Sequence, residues 1–324
     1  MNRRLLLEVY TEEIPSSFFA AGLLPQLRAL AEEELVAARL TSTELKVWGT
    51  PRRLAVAFEG VPEAQAGQTQ EVKGPPASVA FDAEGNPTKA ALGFAEKVGV
   101  APETLVRRQD GKAEYIWAEV SEEGQATLKV AGPMFERIIN RLTFPKTMRW
   151  NKTAFRFARP IKGLLGLYGN EQVAFSVAGL ESGRLTWSHP FAPQGRHSFE
   201  LGAAEDYEQE LLERQVQVDP AKRQADLLAR AEVLASEYGG VLYDRDKAAD
   251  ENCFLIEWPT PFAGHYAEEF LALPVPILTT VMRKHQKYFP LVTANGGPLP
   301  YFIGVRDGDR SEEHTSELQS PNTI

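Results

Sequence analysis

Six basic side chains crowd one short stretch of an acidic chain. Lys146, Arg149, Lys152, Arg156, Arg159 and Lys162 lie in "FPKTMRWNKTAFRFARPIK" (144–162), which has four aromatic rings and no Asp or Glu, while the formal charge of the chain is -9. Lysine and arginine neutralise phosphates, and each such contact releases counterions and adds salt-dependent affinity. Phe144, Trp150, Phe155 and Phe157 have faces on which unpaired bases can stack. The competing reading is that the rings are core and the bases a solvated face. Alternation favours part of it, since Phe155 and Phe157 would point to one side of a strand and Arg156 to the other.

Two smaller basic groups resemble it. Arg52 and Arg53 follow a Gly-Thr-Pro turn that is expected to present them outward. "MRKHQKYF" (282–289) sets Arg283, Lys284 and Lys287 ahead of a Tyr-Phe pair.

Other chemistry is thinly supported. No GxxxxGK[ST], GxGxxG, HExxH or GxSxG motif occurs, so nucleotide-cradling loops, zincin sites and nucleophile elbows have no sequence basis. His189, His197, His265 and His285 are scattered without metal-ligand spacing, and no metal is expected on this chain. Glu12 and Glu13 are adjacent, so a strand would send them to opposite faces; turn capping is the plainer role. The single cysteine, Cys253, sits beside Phe254, Leu255 and Ile256 and reads as a small core residue. One cysteine excludes an internal disulfide and, with no apolar run near the ~18 residues of a membrane helix, the composition points to a reducing cytoplasm.

The elements that must position these residues are strands and helices mixed without a regular βαβ repeat, so the expected class is α+β: multi-domain, mixed sheets with packed helices. Strands are expected at 4–10, either side of a turn in 47–60, and at 113–120, 162–168, 171–178, 252–257, 287–293 and 300–305. Helices are expected at 18–40, broken or started by Pro25, and near 88–99, 125–142 and 276–284. The clearest runs over 220–238, with Asp219 as N-cap, Pro220 in the first turn and Gly239 just beyond the end. Its apolar face is read as Leu228, Ala231, Ala235 and Tyr238, with Arg223 and Arg230 elsewhere. Two regions are expected, 1–205 and 206–309. Residues 310–324 begin RSEEHTSELQS, which resembles the translation of a common sequencing-library adapter; they are set aside as a non-native tail. Without them the charge is -7, from 34 bases and 41 acids, and the natural chain is expected to continue.

Seven ordered blocks carry a family resemblance: "EVYTEEIP" (8–15), "GTPRRLAV" (49–56), "KGPPASVAFDAEGNPTKAALGFA" (73–95), "FPKTMRWNKTAFRFARPI" (144–161), "IEWPTPFAGHY" (256–266), "FLALPVPIL" (270–278) and "MRKHQKYFPL" (282–291). They resemble the N-terminal part of the β subunit of bacterial glycyl-tRNA synthetase. The resemblance implies a B3/B4-like N-terminal region and a tRNA-binding, non-catalytic chain. ATP, Mg and glycine activation would belong to a separate α subunit, in an α2β2 cytoplasmic assembly that charges tRNA(Gly). The family's HD-type and anticodon-binding domains are not matched. Under this reading the eleven basic residues named above are candidates for contact with tRNA or with the α subunit; a scaffold for the α subunit without RNA contact is the alternative. An editing hydrolase of the B3/B4 kind would need a water-activating group, and none is recognisable. The sequence departs from the family at Thr186–Phe191, TWSHPF, where Ser188 and Pro190 replace the Gly and Arg of Thr-x-Gly-His-Arg-Phe, and at Phe144, where Leu is usual.

Overall fold

The computed structural model of the protein describes residues 2–82, 85–111, 113–193 and 195–309; the expected tail at 310–324 lies outside them. The chain divides into two compact units. Glu63–Thr127 is one, and it interrupts the other, which consists of the residues up to Pro62 and those from Leu128 onward. The α+β class holds for both. The expected boundary at 205/206 falls inside the second of these units.

The discontinuous unit opens with β1 (Arg3–Thr11), buried along nearly its whole length. Then come α1 (Ser16–Ala20), α2 (Leu23–Ala37), β2 (Glu44–Thr50) and β3 (Arg53–Val61). The helix expected at 18–40 is two helices, because Gly22 adopts φ 95° between them. Pro25 then falls in the first turn of α2, where its missing N–H breaks no bond.

The inserted unit contains β4 (Gln68–Pro76), α3 (Ala77–Ala80), α4 (Lys89–Val98), β5 (Val106–Asp110) and β6 (Ala113–Glu122). Its sheet order is β4-β6-β5, all antiparallel. Thr88 caps α4 by accepting from the Ala90 N–H, and Gly99 ends it at φ 77°, as the sequence implies. A small cluster of Ala80, Ala91 and Ile116 forms its core.

The chain then resumes with α5 (Thr127–Arg141), β7 (Ile161–Tyr168), β8 (Glu171–Gln172), β9 (Ser176–Val177), β10 (Leu180–Glu181), β11 (Leu185–Trp187) and β12 (Ser198–Glu200). Next are α6 (Tyr207–Leu212), α7 (Pro220–Glu237), β13 (Val241–Leu242), α8 (Arg245–Cys253), β14 (Pro259–His265), α9 (Val275–Gln286), β15 (Phe289–Val292) and β16 (Pro298–Asp307).

One sheet runs β2-β3-β1-β7-β8, with β1 antiparallel to both β3 and β7. Period-two alternation along β1 sends Leu5, Leu7 and Val9 into a core with α2 and α5, including Leu27, Phe135 and Ile138. Leu6 goes the other way, into a core with Trp48, Tyr207 and Leu211. Burying one such leucine contributes about 1.5–3 kcal/mol. Glu8 and Tyr10 share the face of Leu6, so the strand that reads as an apolar run carries a carboxylate into the second core. A second sheet, β13-β15-β16-β14, packs against α7 and α8 through Leu227, Ala231, Ala249, Phe289 and Ile303.

Two expectations need correcting. Helix α7 has the expected cap, with Asp219 Oδ1 accepting from the Ala221 and Lys222 amides, but its inner face is Leu227, Ala231 and Ala235 with Arg223. Tyr238 is half exposed. Arg223 is fully buried because its guanidinium donates to the carbonyls of Cys253 (2.8 Å), Gln217 (2.6 Å) and Gly49 (2.8 Å). The strand expected at 252–257 is instead the end of α8 and a turn. Arg223 takes the last carbonyl of that helix, and Asn252 Nδ2 donates to Ala248 and Lys287, so the chain turns before β14 starts at Pro259.

Candidate nucleic-acid interface and a buried ion cluster

Residues 144–160 link α5 to β7 without forming a strand; a single bridge pairs Met148 with Phe157. Phe157 is fully buried. Phe144 meets it edge-on at 4.6 Å, and Phe155 stacks on it at 6.1 Å. Trp150 in turn packs edge-on against Phe155. Asn151 holds the tip: its Nδ2 donates to the Ala178 carbonyl at 2.6 Å, and its Oδ1 accepts from Thr153. The rings therefore anchor the loop.

The bases are the presented surface. Lys146, Arg149, Lys152 and Arg156 are exposed. Among the described residues, Lys146, Arg149 and Lys152 have no carboxylate partner, and Arg156 donates only to the Thr147 hydroxyl, at 3.0 Å. Arg159 and Lys162 differ. Arg159 Nε donates to the Glu13 carbonyl at 2.9 Å, and Lys162 pairs with Glu12 at 2.5 Å. The adjacent Glu12 and Glu13 thus tether the end of the basic run to the end of β1.

The second basic pair behaves in the opposite way. Arg52 and Arg53 are not outward: the Arg53 side chain is 0% exposed and that of Arg52 12%. Isolated buried charge is prohibitively costly, so buried guanidinium groups require carboxylates. Glu257 supplies one, accepting from Arg53 (3.0 Å), Arg52 (3.0 Å) and the Thr50 hydroxyl (2.6 Å). Asp307 accepts from Arg52 at 3.2 Å and from the Glu257 and Trp258 amides at 2.7 and 3.1 Å. Glu13 holds the outer edge of Arg52 at 2.7 Å. Glu8 lies 3.4 Å from Arg53 Nε and accepts from the hydroxyls of Thr186 (2.7 Å) and Tyr207. Burial pushes the Glu257 carboxyl upward, but Arg53 and Arg52 more than reverse this and leave it below its ordinary 4.5. For Glu8, burial prevails over Arg53, Tyr207 and Thr186, and the carboxyl lies above its ordinary 4.5. With this many donors converging on its oxygens, the cluster works as an ionic cross-link between the two sheets.

The third group is divided. Arg283 pairs with Asp244, and Lys287 pairs with Glu251 at 2.9 Å; Lys284 is exposed without a partner among the described residues. Cys253 is buried and donates to the Pro220 carbonyl. Among the described residues, no three His, Cys, Asp or Glu side chains are grouped to hold a metal ion, and no helix is long and apolar enough to cross a membrane.

Residues 5–319 match the family of the glycyl-tRNA synthetase beta subunit. The glycine–tRNA ligase beta subunit of Desulfitobacterium hafniense (strain Y51) is 42% identical over 309 residues, 95% of this chain and 44% of the relative. That of Moorella thermoacetica is 40% identical over 322 residues, 99% of this chain and 46% of the relative. The chain belongs to the glycyl-tRNA synthetase beta subunit family. A plant member, glycine–tRNA ligase, chloroplastic/mitochondrial 2 of Arabidopsis thaliana, is 38% identical over 96% of this chain and 29% of its own length. The chain therefore spans less than half the length of these family relatives.

The segment Thr186–Phe191 borders the ion cluster. Trp187 stacks on Tyr10 at 4.3 Å, and its carbonyl accepts from Arg53 at 2.8 Å. Gly163 is required opposite it, since a Cβ there would lie 2.3 Å from the Trp187 ring. The Phe191 amide donates to His189 Nδ1, so the ring proton belongs on Nε2, 2.8 Å from Asp307. Ser188 is buried and bonds to the His197 segment. Sequence reasoning missed Glu8, Glu257, Asp307 and His189. The visible signal was a charged residue in the middle of the apolar run RLLLEVY.

Proposed function

We propose that this chain is the non-catalytic, tRNA-binding part of a glycine–tRNA ligase, with Lys146, Arg149, Lys152 and Arg156 forming its contact surface for the tRNA backbone. The observation that carries the reading is that these four cations stand exposed with no acidic partner among the described residues, in a chain whose acids outnumber its bases. Unneutralised cations on a loop anchored by its own rings are ready for phosphates without prior loss of internal ion pairs. Arg52, Arg53, Arg283 and Lys287, already paired with carboxylates, drop out of the contact set. Lys284 remains as a separate exposed candidate.

On this reading tRNA(Gly) is the nucleic-acid partner, and ATP, Mg and glycine activation belong to a separate α subunit in a cytoplasmic α2β2 assembly. Filter binding of tRNA(Gly) to an Arg149→Glu/Lys152→Glu variant tests it: affinity falls and its salt dependence flattens. Unchanged affinity in a folded variant rejects the RNA surface. Loss of α-subunit association with tRNA binding intact would assign the same residues to a protein scaffold, a role for which exposed Arg is also suited.

A further inference from the structure

At the foot of the basic loop is a pocket of about 220 Å³. Phe18 and Phe144 line it, with ring centroids 6.2 Å apart, together with exposed Ala21 and Thr143 and half-buried Gln26. Its shape is held from behind. Phe144 rests edge-on against the fully buried Phe157. Gln26 reaches from α2 and closes both sides of the Thr143 peptide, donating to its carbonyl at 3.2 Å and accepting from its amide at 2.7 Å. The Thr143 hydroxyl has no partner among the described residues. Two residues beyond Phe144 the unneutralised cations begin, at Lys146.

We propose that this pocket takes one unpaired base of the RNA whose backbone lies along Lys146, Arg149 and Lys152. This rests on the reading of the basic loop as a tRNA surface and adds a base site to it. The pocket is smaller than the roughly 300–1,000 Å³ of sites that enclose a whole small molecule, so it suits a planar ring with its sugar and phosphate outside. Aromatic walls provide faces for stacking. The Thr143 hydroxyl can bond a base edge, and Lys146, next in sequence to the lining residue Pro145, can meet a phosphate that flanks an inserted base. Leucine at position 144 would offer no π face, so this chain holds the base more tightly than a variant with leucine there.

The test is equilibrium binding of the full chain to a tRNA(Gly) transcript and to a blunt RNA duplex over a range of salt. Phe144→Leu keeps an apolar wall but removes the stacking face. Ala21→Leu fills the pocket from an exposed position and spares the core. Each variant should lose tRNA affinity by at least about 5-fold, the low end of the roughly 5- to 150-fold that a stacked base is worth. The salt slope and duplex affinity should not change, because no phosphate contact is removed. If both variants bind tRNA like the parent while Arg149→Glu/Lys152→Glu weakens it, the basic surface stands and the pocket proposal is overturned. If the charge reversal also has no effect, both readings fall together. Displacement of tRNA from the parent, but not from Ala21→Leu, by millimolar AMP or GMP would instead make this a free-nucleotide site and overturn the RNA assignment. Loss of α-subunit association in the two pocket variants, with tRNA affinity intact, would overturn it in favour of a protein side chain.

Discussion

Arg52 and Arg53 on one side, and Lys146, Arg149 and Lys152 on the other, come from equally basic stretches of sequence and have opposite fates. The arginine pair is buried and held by Glu257, Asp307, Glu8 and Glu13. The loop cations are exposed and, among the described residues, hold no carboxylate. The difference is set by acids remote in sequence: Glu257 is 204 positions from Arg53. A basic cluster is therefore a surface for phosphate only where the fold brings no carboxylate to it. Buried guanidinium groups stabilise a particular arrangement of elements, and exposed ones remain available for a partner.

The sharpest way to break this contrast is Glu257→Ala. It leaves Arg53 buried without its main partner and should lower stability by about 3–5 kcal/mol in urea titrations; a change below about 1 kcal/mol would mean that the cluster is not a cross-link. Tyr207→Phe should cost less, about 1–3 kcal/mol, since one Glu8 oxygen loses a buried donor. Acid titration adds a sign. The folded carboxyls of Glu257 and Asp307 lie below their ordinary 4.5 and 3.8, so their contribution is present above those values and is lost as pH falls through the lower folded ones. Glu8 opposes this: its raised carboxyl favours the fold at low pH, and that contribution is lost as pH rises from 4.5 through the folded value. Stability measured from pH 6 to pH 2 should fall less steeply in Asp307→Asn than in the parent. On the loop the effect on stability should be smallest. Arg149→Glu/Lys152→Glu should stay within about 0.5 kcal/mol of the parent, while the slope of log affinity against log salt for tRNA decreases in magnitude by about 2.

Local signals in the sequence were read well. Asp219 with Pro220, and Thr88 with Gly99, marked helix ends because capping depends on neighbouring residues alone. The basic loop was also legible in part, since Phe157 is core and Arg156 exposed, although the segment is a ring-anchored loop rather than a strand. What failed was long-range. Nothing near Arg52 and Arg53 reports Glu257 or Asp307, and nothing near Arg223 reports the carbonyl of Gly49 that it bonds. A Gly-Thr-Pro turn signals a reversal of the chain but not what packs over it. The same limit hid the inserted unit, because its boundaries at Pro62 and Leu128 carry no distinctive composition.

The way that unit is closed has a practical meaning. Ala64 bridges to Ala126, the Thr127 amide donates to the Glu63 carbonyl at 2.8 Å, and that of Gln65 donates to Gln125 at 2.9 Å. Its two ends therefore meet, as in a cassette. A cassette with joined ends can be excised and replaced by a short turn without stretching the chain that hosts it. If it melts in place, it leaves the host only a long loop, whose closure entropy grows slowly with length. Residues 63–127 are thus the place where this chain can be shortened, labelled or exchanged as a block while the sheet that carries the ion cluster keeps its connections.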